Sequence, residues 1–333
     1  MNRKRLWTTL LIILVLVLVS SIALAGNAPF GEPSLTLLAS GLEGSTGMGS
    51  AIGPGGALYV TEGAVGRISR IDPKTGEVTV FASGLPQAVI PLGGVSDIAF
   101  IGETAYALVT LVGSDVGGGD TVGIYRVDGP DRFTVIADIG SWAIANPPQT
   151  AFNVPSGLQY ALETYRGGFL VTDGHHNRVL RVTLDGEVSE LIGFDNTVPT
   201  GLDVSGNTIY MAEAGAVPHP PESGKVVSFE PNTLQVSEVA SGARLLVDVE
   251  FGRGRSLFAL SQGVFPPDGA PGEPAEANSG SLVAIVGDGS FSVVIDGLNL
   301  PTSMEIIGNT AYVSNLAGEV WMIENISGPP FGN

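Results

Sequence analysis

A single strand-and-turn unit recurs six times along this chain, and no other feature limits the possible folds so strongly. Runs rich in β-branched residues that end in small residues appear at SLTLLASGL (34–42), EVTVFASGL (77–85), FTVIADIG (133–140), EVSELIGF (187–194), QVSEVASGA (235–243) and FSVVIDGL (291–298). Six shorter segments alternate with them: GSAI (49–52), DIAF (97–100), GLQY (157–160), GLDV (201–204), DVEF (248–251) and SMEI (303–306). Their spacings of 48, 60, 44, 47 and 55 residues leave room for four strands per unit. A period near 50 with several strands in each copy is the pattern of a β-propeller.

The ends of the chain predict how the ring closes. After SMEI only two further strands fit, AYVSN and EVWMI, while SLTLLASGL stands first with no strands of its own before it. The economical arrangement gives residues 34–42 to the last blade as its outer strand, which leaves no free sheet edge around the ring. The expected fold is therefore all-β, a six-bladed β-propeller closed by its N-terminal strand, over residues 34–325. Composition agrees, with 47 glycines and 22 prolines for turns and 44% hydrophobic residues for the core.

Ahead of the repeats, Arg3, Lys4 and Arg5 precede the apolar run Leu10–Val19 and the small-x-small site Ala23-Leu24-Ala25. This is the pattern of a secretory signal, residues 1–25, cleaved before Gly26, with 26–33 as a linker and 326–333 as a tail. The alternative is an uncleaved anchor, since Leu6–Ala25 is long enough to span a bilayer. Either reading places the repeats outside the cytoplasm, secreted or periplasmic. The chain has no cysteine, so no disulfide supports the fold there. Loss of residues 1–25 leaves 12 basic against 33 acidic residues, a net charge near −21. That charge excludes nucleic acid and anionic membrane surfaces as partners, because both need a basic footprint. A small molecule or an exported protein remains, and the chain is expected to be a monomer.

Aligning the second and third strands sets V60-TEGAVGRISRI beside V171-TDGHHNRVLRV without a gap. His175 and His176 then occupy a hairpin corner, and the interchange of Gly66 with Asn177 marks a position of positive φ. These motifs resemble NHL-type and SMP-30/strictosidine-synthase-like six-bladed propellers. Together with GRI-x-R-I-D-P (66–73), F-A-S-G-L-P (81–86) and L-P-T-S (300–303), the set most resembles the ScyD/ScyE family of exported propellers. The resemblance runs over about residues 30–325 and implies the propeller fold, but no particular reaction.

Two polar rings follow from the repeat alignment. One, at the end of each second strand, comprises Glu62, Thr110, Asp173, Glu213, Gln262 and Asn315. The other takes the third inner-strand position: Ala51, Ala99, Gln159, Asp203, Glu250 and Glu305. Strand-end residues serve either to cap their own turns or to meet a ligand. On the ligand reading, Glu62, Asp173, Glu213, Gln262 and Asn315, with His175, contact it at the central channel or the loop-bearing face. Asp203, Glu250 and Glu305 are the candidate ligands for Ca²⁺ or Mg²⁺, which require several oxygens. Zinc is disfavoured, because two adjacent histidines on a corner point apart and no cysteine is present.

Catalytic residues are not marked by any motif, and no G-x-S-x-G elbow occurs. The SMP-30 resemblance implies a divalent-metal lactone hydrolase, but where that family has Pro-Asn-Gly this chain has Pro155-Ser156-Gly157 and Pro199-Thr200-Gly201. The leading expectation is a non-catalytic binding module. The metal-dependent lactonase is the alternative, and a structural propeller facing envelope proteins is a third. Long Gly/Pro insertions at 111–121, 214–223 and 262–279 are expected to project from one face, where binding sites usually lie.

Overall fold

A computed structural model describes residues 31–270 and 272–328. The proposed signal segment, residues 1–25, lies outside them. Among the described residues the strands form six antiparallel four-stranded sheets. Blade one comprises Ser50–Ile52, Leu58–Glu62, Arg67–Ile71 and Val78–Ser83, and blade three Gln159–Tyr165, Gly168–Asp173, Arg178–Val182 and Val188–Gly193. In blade six, Pro301–Ile307, Thr310–Asn315 and Glu319–Glu324 are joined by Ser34–Ser40, with Ser34 opposite Glu324 and Ser40 opposite Glu319. The N-terminal strand thus closes the ring. No helix among the described residues is long and apolar enough to cross a membrane.

Every pair of neighbouring blades encloses its own apolar cluster. Ile68 and Ala82 of blade one meet Val95, Ile98 and Val109 of blade two. Tyr165, Leu170 and Val179 meet Ile209, Met211 and Phe229 between blades three and four. The joint between blades six and one packs Tyr312 and Val320 against Leu58, Val60 and Ile71. Second- and third-strand residues are buried on both sheet faces, which is why those strands read as near-continuous apolar runs. Outer strands are exposed or half-buried over most of their length, and Val80 and Val293 point outward at 60% and 62% exposure.

The hairpin corners match the sequence alignment. Gly63–Val65 and Gly174–His176 each form one 3₁₀ turn, closed by left-handed residues Gly66 (φ 61°) and Asn177 (φ 56°). At Gly66 a side chain is also excluded by space, since a Cβ would lie 2.0 Å from the Leu85 carbonyl oxygen.

Two features depart from the sequence reading. The link from blade two to blade three holds an α-helix, Ile139–Ala145, capped at its N-terminus by Asp138, whose carboxylate accepts from the Ser141 amide at 2.8 Å. The inner strand of blade three is also displaced four residues from the expected register. Ala51, Ala99, Asp203, Glu250 and Glu305 face Tyr59, Tyr106, Tyr210, Phe258 and Tyr312 across the first hairpin, and the residue so placed in blade three is Glu163, opposite Leu170. Gln159, assigned to that position from GLQY, instead pairs with Asp173 at the strand's start, before the irregularity that separates it from Leu162. The inner-strand ring is therefore Ala51, Ala99, Glu163, Asp203, Glu250 and Glu305.

Candidate functional site

The strand-end ring is mostly engaged within the fold. Glu62 is fully buried, accepts from Arg67 Nε at 2.7 Å and Ser69 Oγ at 2.5 Å, and receives the Glu43 amide at 2.9 Å. Burial pushes its carboxyl up, but the hydrogen bonds from Arg67 and Ser69 outweigh this and hold it below the usual range. Asp173 accepts from Arg178 Nε at 2.9 Å, Gln159 Nε2 at 3.1 Å and the Leu158 amide at 3.2 Å. Arg178 is itself only 1% exposed; it donates to the Asn146 carbonyl at 2.7 Å and lies over the Trp142 ring, 4.8 Å from its centre. Asn315 caps its own turn, accepting from the Ala317 and Glu319 amides at 3.0 Å each. Gln262 accepts from the Ala275 amide at 3.0 Å, and Thr110 donates to Gln159 Oε1 at 2.8 Å.

Glu213 differs from these. It is 6% exposed and forms no described hydrogen bond, and its cross-strand partner Lys225 reaches instead to Glu238 at 2.8 Å. Burial pushes its carboxyl up to about 7.

The two neighbouring histidines separate. His176 is buried, with Nε2 against the Val154 carbonyl at 2.9 Å and Nδ1 accepting from Arg178 at 3.0 Å. That pairing puts the proton on Nε2, so its 3.0 Å approach to Asp173 is not a hydrogen bond. His175 turns the other way, into a cavity of about 230 Å³ on the loop-bearing face. Tyr160 lies beside it, hydroxyl to Nε2 at 3.4 Å. His219, carried in by the inserted loop 214–223, lines the same cavity, with Nδ1 against the Ala214 carbonyl at 3.2 Å and its ring edge-on to Phe265. An apolar cluster of Val198, Ala214, Leu245, Phe265 and Ala275 anchors the inserted loops of blades four and five on this face. The third insertion is absent from the cavity wall; its Asp115 accepts from the Ser156 amide at 2.9 Å.

Burial lowers both cavity histidines, His175 to about 4, with His219 adding to the effect, so both are neutral at physiological pH. Burial also raises the Tyr160 phenol, keeping it protonated. At the two positions where an Asn ligand is missing, Thr200 uses its hydroxyl on the Ala212 and Leu246 carbonyls at 3.1 and 3.0 Å, and the Ser156 hydroxyl is buried without a partner.

Beneath the face cavity the axial channel holds a second cavity, also about 230 Å³, lined by Asp97, Glu163, Asp203, Asp248, Glu250 and Glu305. Three of these acids stitch blades together. Asp97 accepts from the Ile98 amide and from Leu162 of the next blade at 2.9 and 2.7 Å, and Asp248 from Val249 and from Met304 of the next blade at 2.9 and 2.8 Å. Asp203 receives the Phe251 amide at 2.7 Å. Glycines in the preceding blades make room, since a Cβ at Gly49 or Gly201 would lie 2.3 Å from an Asp97 or Asp248 oxygen.

Burial raises every one of these six carboxyls, Glu163 to about 8 and Asp248 to about 7, and mutual repulsion raises Glu250 and Glu305 further. Among the described residues, no three Asp, Glu or His side chains converge closely enough to hold a metal ion. Asp203, Glu250 and Glu305 therefore share one channel wall without forming a coordination sphere for Ca²⁺ or Mg²⁺ in this conformation.

The fold defines the class: a closed six-bladed propeller, the fold also found in gluconolactonases and virginiamycin B lyases. A gluconolactonase from Xanthomonas campestris matches with a TM-score of 0.59 at 15% identity, covering 89% of this chain and 90% of its own. Virginiamycin B lyase from Staphylococcus aureus matches at 0.55 and 13%, covering 88% and 99%. The PQQ-bound aldose sugar dehydrogenase of Streptomyces coelicolor matches at 0.58 and 14%, covering 88% and 98%. Identities this low establish the fold alone. No protein-family model and no curated protein matches the chain.

Proposed function

We propose that this is an exported propeller of the ScyD/ScyE type that binds a small molecule in the loop-face cavity and does no chemistry on it. The observation that carries this reading is the cavity itself, a largely apolar pocket with a few convergent polar groups, His175, His219 and Tyr160. A general base works best with a pKa near the operating pH. His175, lowered by burial to about 4 and hydrogen-bonded to no carboxylate among the described contacts, is a weak base and a good neutral hydrogen-bonding partner.

The test uses the neutral solvatochromic dye 6-propionyl-2-(dimethylamino)naphthalene. Saturable, blue-shifted emission is expected with the mature chain and lost in Leu158→Arg, which places a charge in the cavity wall. Equal emission from both proteins would defeat the reading. Export with removal of residues 1–25 predicts Gly26 as the first residue of the secreted product, read by N-terminal sequencing.

A metal-dependent lactonase is the second reading, favoured by the channel acids Asp203, Glu250 and Glu305 and the fold shared with a gluconolactonase. Chelator-treated protein reloaded with Ca²⁺ or Mg²⁺ should then hydrolyse gluconolactone above the background rate. On the binding reading it does not.

A further inference from the structure

The two cavities meet at Asp97, Ala161, Asp248 and Ser303, which line both. Asp97 belongs to blade two and Asp248 to blade five, three blades apart in a ring of six, so the carboxyls stand on opposite sides of the axis. Above them the walls are apolar, with Leu92, Leu158, Phe265 and Leu316 among their residues. Among the described residues no lysine or arginine lines either cavity, and burial lowers the two histidines toward the neutral form.

We propose that the face cavity recognises an organic monocation, its apolar body against the loop-face walls and its primary ammonium between Asp97 and Asp248. This rests on the reading that the cavity binds a small molecule, and it specifies the charge of that molecule. Each aspartate oxygen already accepts one backbone N–H, which fixes the carboxyl in place and leaves further lone pairs toward the axis. An ammonium needs only two or three acceptors, and Asp97, Asp248 and the Ser303 hydroxyl, which also contacts Ser50 Oγ at 2.6 Å, border the junction of the two cavities. A divalent metal needs six to eight oxygens at about 2.3–2.6 Å, and the carboxyls do not converge to that extent. The remaining channel acids, Glu163, Asp203, Glu250 and Glu305, lie behind the ammonium position with their carboxyls raised by burial, and an incoming positive charge favours their ionised forms.

Titration calorimetry with phenethylamine, 2-phenylethanol and phenylacetate, which share one ring and differ in head-group charge, tests the proposal on the mature wild-type chain. At pH 7.5 the amine is expected to bind at least about tenfold more tightly than the alcohol, a difference of about 1.4 kcal/mol, and the acetate most weakly. Parallel titrations in buffers of different protonation enthalpy should show proton release with the amine only, as the raised Asp248 carboxyl ionises against it. The groups around that carboxyl are Asp97, Glu163, Asp203, Glu250 and Glu305 in the channel and His175, Tyr160, His219 and Glu273 in the cavity above. Asp248→Asn should bring the amine down to the alcohol's affinity. Because that change also disturbs the stitch to Met304, Glu305→Gln provides the second variant. Glu305 has no described hydrogen bond to lose, and its replacement should weaken the amine several-fold and leave the alcohol unchanged. Equal affinity for amine and alcohol would overturn the monocation and leave the small-molecule reading intact. Dye binding without any amine binding would do the same, and failure of both dye and amine would remove the cavity reading along with the proposal.

Discussion

Two rings of acidic side chains circle the axis of this propeller, and they accommodate buried carboxyl groups in opposite ways. At the strand ends, Glu62 and Asp173 each face an arginine across the hairpin, with further hydrogen bonds on their oxygens. On the inner strands Glu163, Asp203, Glu250 and Glu305 face aromatic or aliphatic residues and one another, and no lysine or arginine among the described residues lines their cavity. A buried ion is tolerated when paired and hydrogen-bonded, and otherwise shifts its pKa and neutralises. Glu62, held below its ordinary value, is thus a structural acid, whereas the inner-strand carboxyls are pushed toward the protonated form and ionise more readily against a charge brought from outside.

The largest effect should come from breaking the best-buried pair. Arg178→Ala leaves the buried Asp173 carboxyl without its arginine partner and removes the hydrogen bond to Asn146 and the packing on Trp142. A loss of about 3–5 kcal/mol is expected from urea unfolding. Arg67→Ala should cost clearly less, since the Arg67 side chain is 30% exposed and water can enter to solvate Glu62. Equal losses would show that burial of the pair is not what separates them.

The rings should also respond to pH with opposite signs. Glu62 is held below its ordinary value, so its contribution is present at neutral pH and lost as pH falls through the folded-state value. Glu163 and Asp248 are raised, from ordinary values of 4.5 and 3.8 to about 8 and about 7. Folding binds their protons, so their contribution is complete below the ordinary values and is lost as pH climbs toward 8. Melting temperature should therefore decline between pH 5 and 8, and Glu163→Gln should flatten the decline, gaining about 1–2 kcal/mol at pH 8 relative to pH 5, where a whole pKa unit is worth about 1.4 kcal/mol. A parallel decline in wild type and variant would remove Glu163 from the cause.

How much of this could be read in advance depended on whether each feature is local. Strand alternation, glycine turns and the ASGL-like ends leave a local imprint in every blade, so the ring and its closure by residues 34–42 could be counted from the chain. Glu163 was hidden because Gly157-Leu158 imitates Gly201-Leu202, and the irregularity after Gln159 moves the true equivalent, Ala161-Leu162-Glu163, four residues on. Matching the apolar middle residues, Leu162 opposite Val171 and Leu202 opposite Met211, could have found it, because Glu163 then falls opposite Leu170 as Asp203 falls opposite Tyr210. The helix Ile139–Ala145 is too short to show a 3.6-residue period, and its only trace was the 60-residue spacing between blades two and three. His175 and His219, 44 residues apart, meet only because two loops pack on the Phe265 cluster, and neither loop carries a local sign of that meeting.

The smallest expected effect is the one that tests the comparison within a single ring. Glu213 sits in register with Glu62 and Asp173, opposite Lys225 near the start of the third strand, yet it behaves like an inner-strand acid. Lysine replaces arginine there, and Lys225 turns out to the exposed Glu238. The position opposite Glu213 on the inner strand is Pro199, which has no N–H to offer, where blade three has Gln159 beside Asp173. Without those donors burial dominates and the carboxyl rises to about 7. Glu213→Gln should therefore change stability by less than about 0.5 kcal/mol at pH 6, where the carboxyl is already neutral. At pH 8.5 the same change should become slightly stabilising, because the glutamate there must ionise without a partner. Glu62→Gln, compared in the same denaturation series, should be destabilising at both pH values, since Arg67 and Ser69 lose a charged acceptor. If Glu213→Gln instead cost as much as Glu62→Gln, Lys225 would be serving Glu213 in solution, and the boundary between the two rings would run along the sequence positions rather than along the availability of donors.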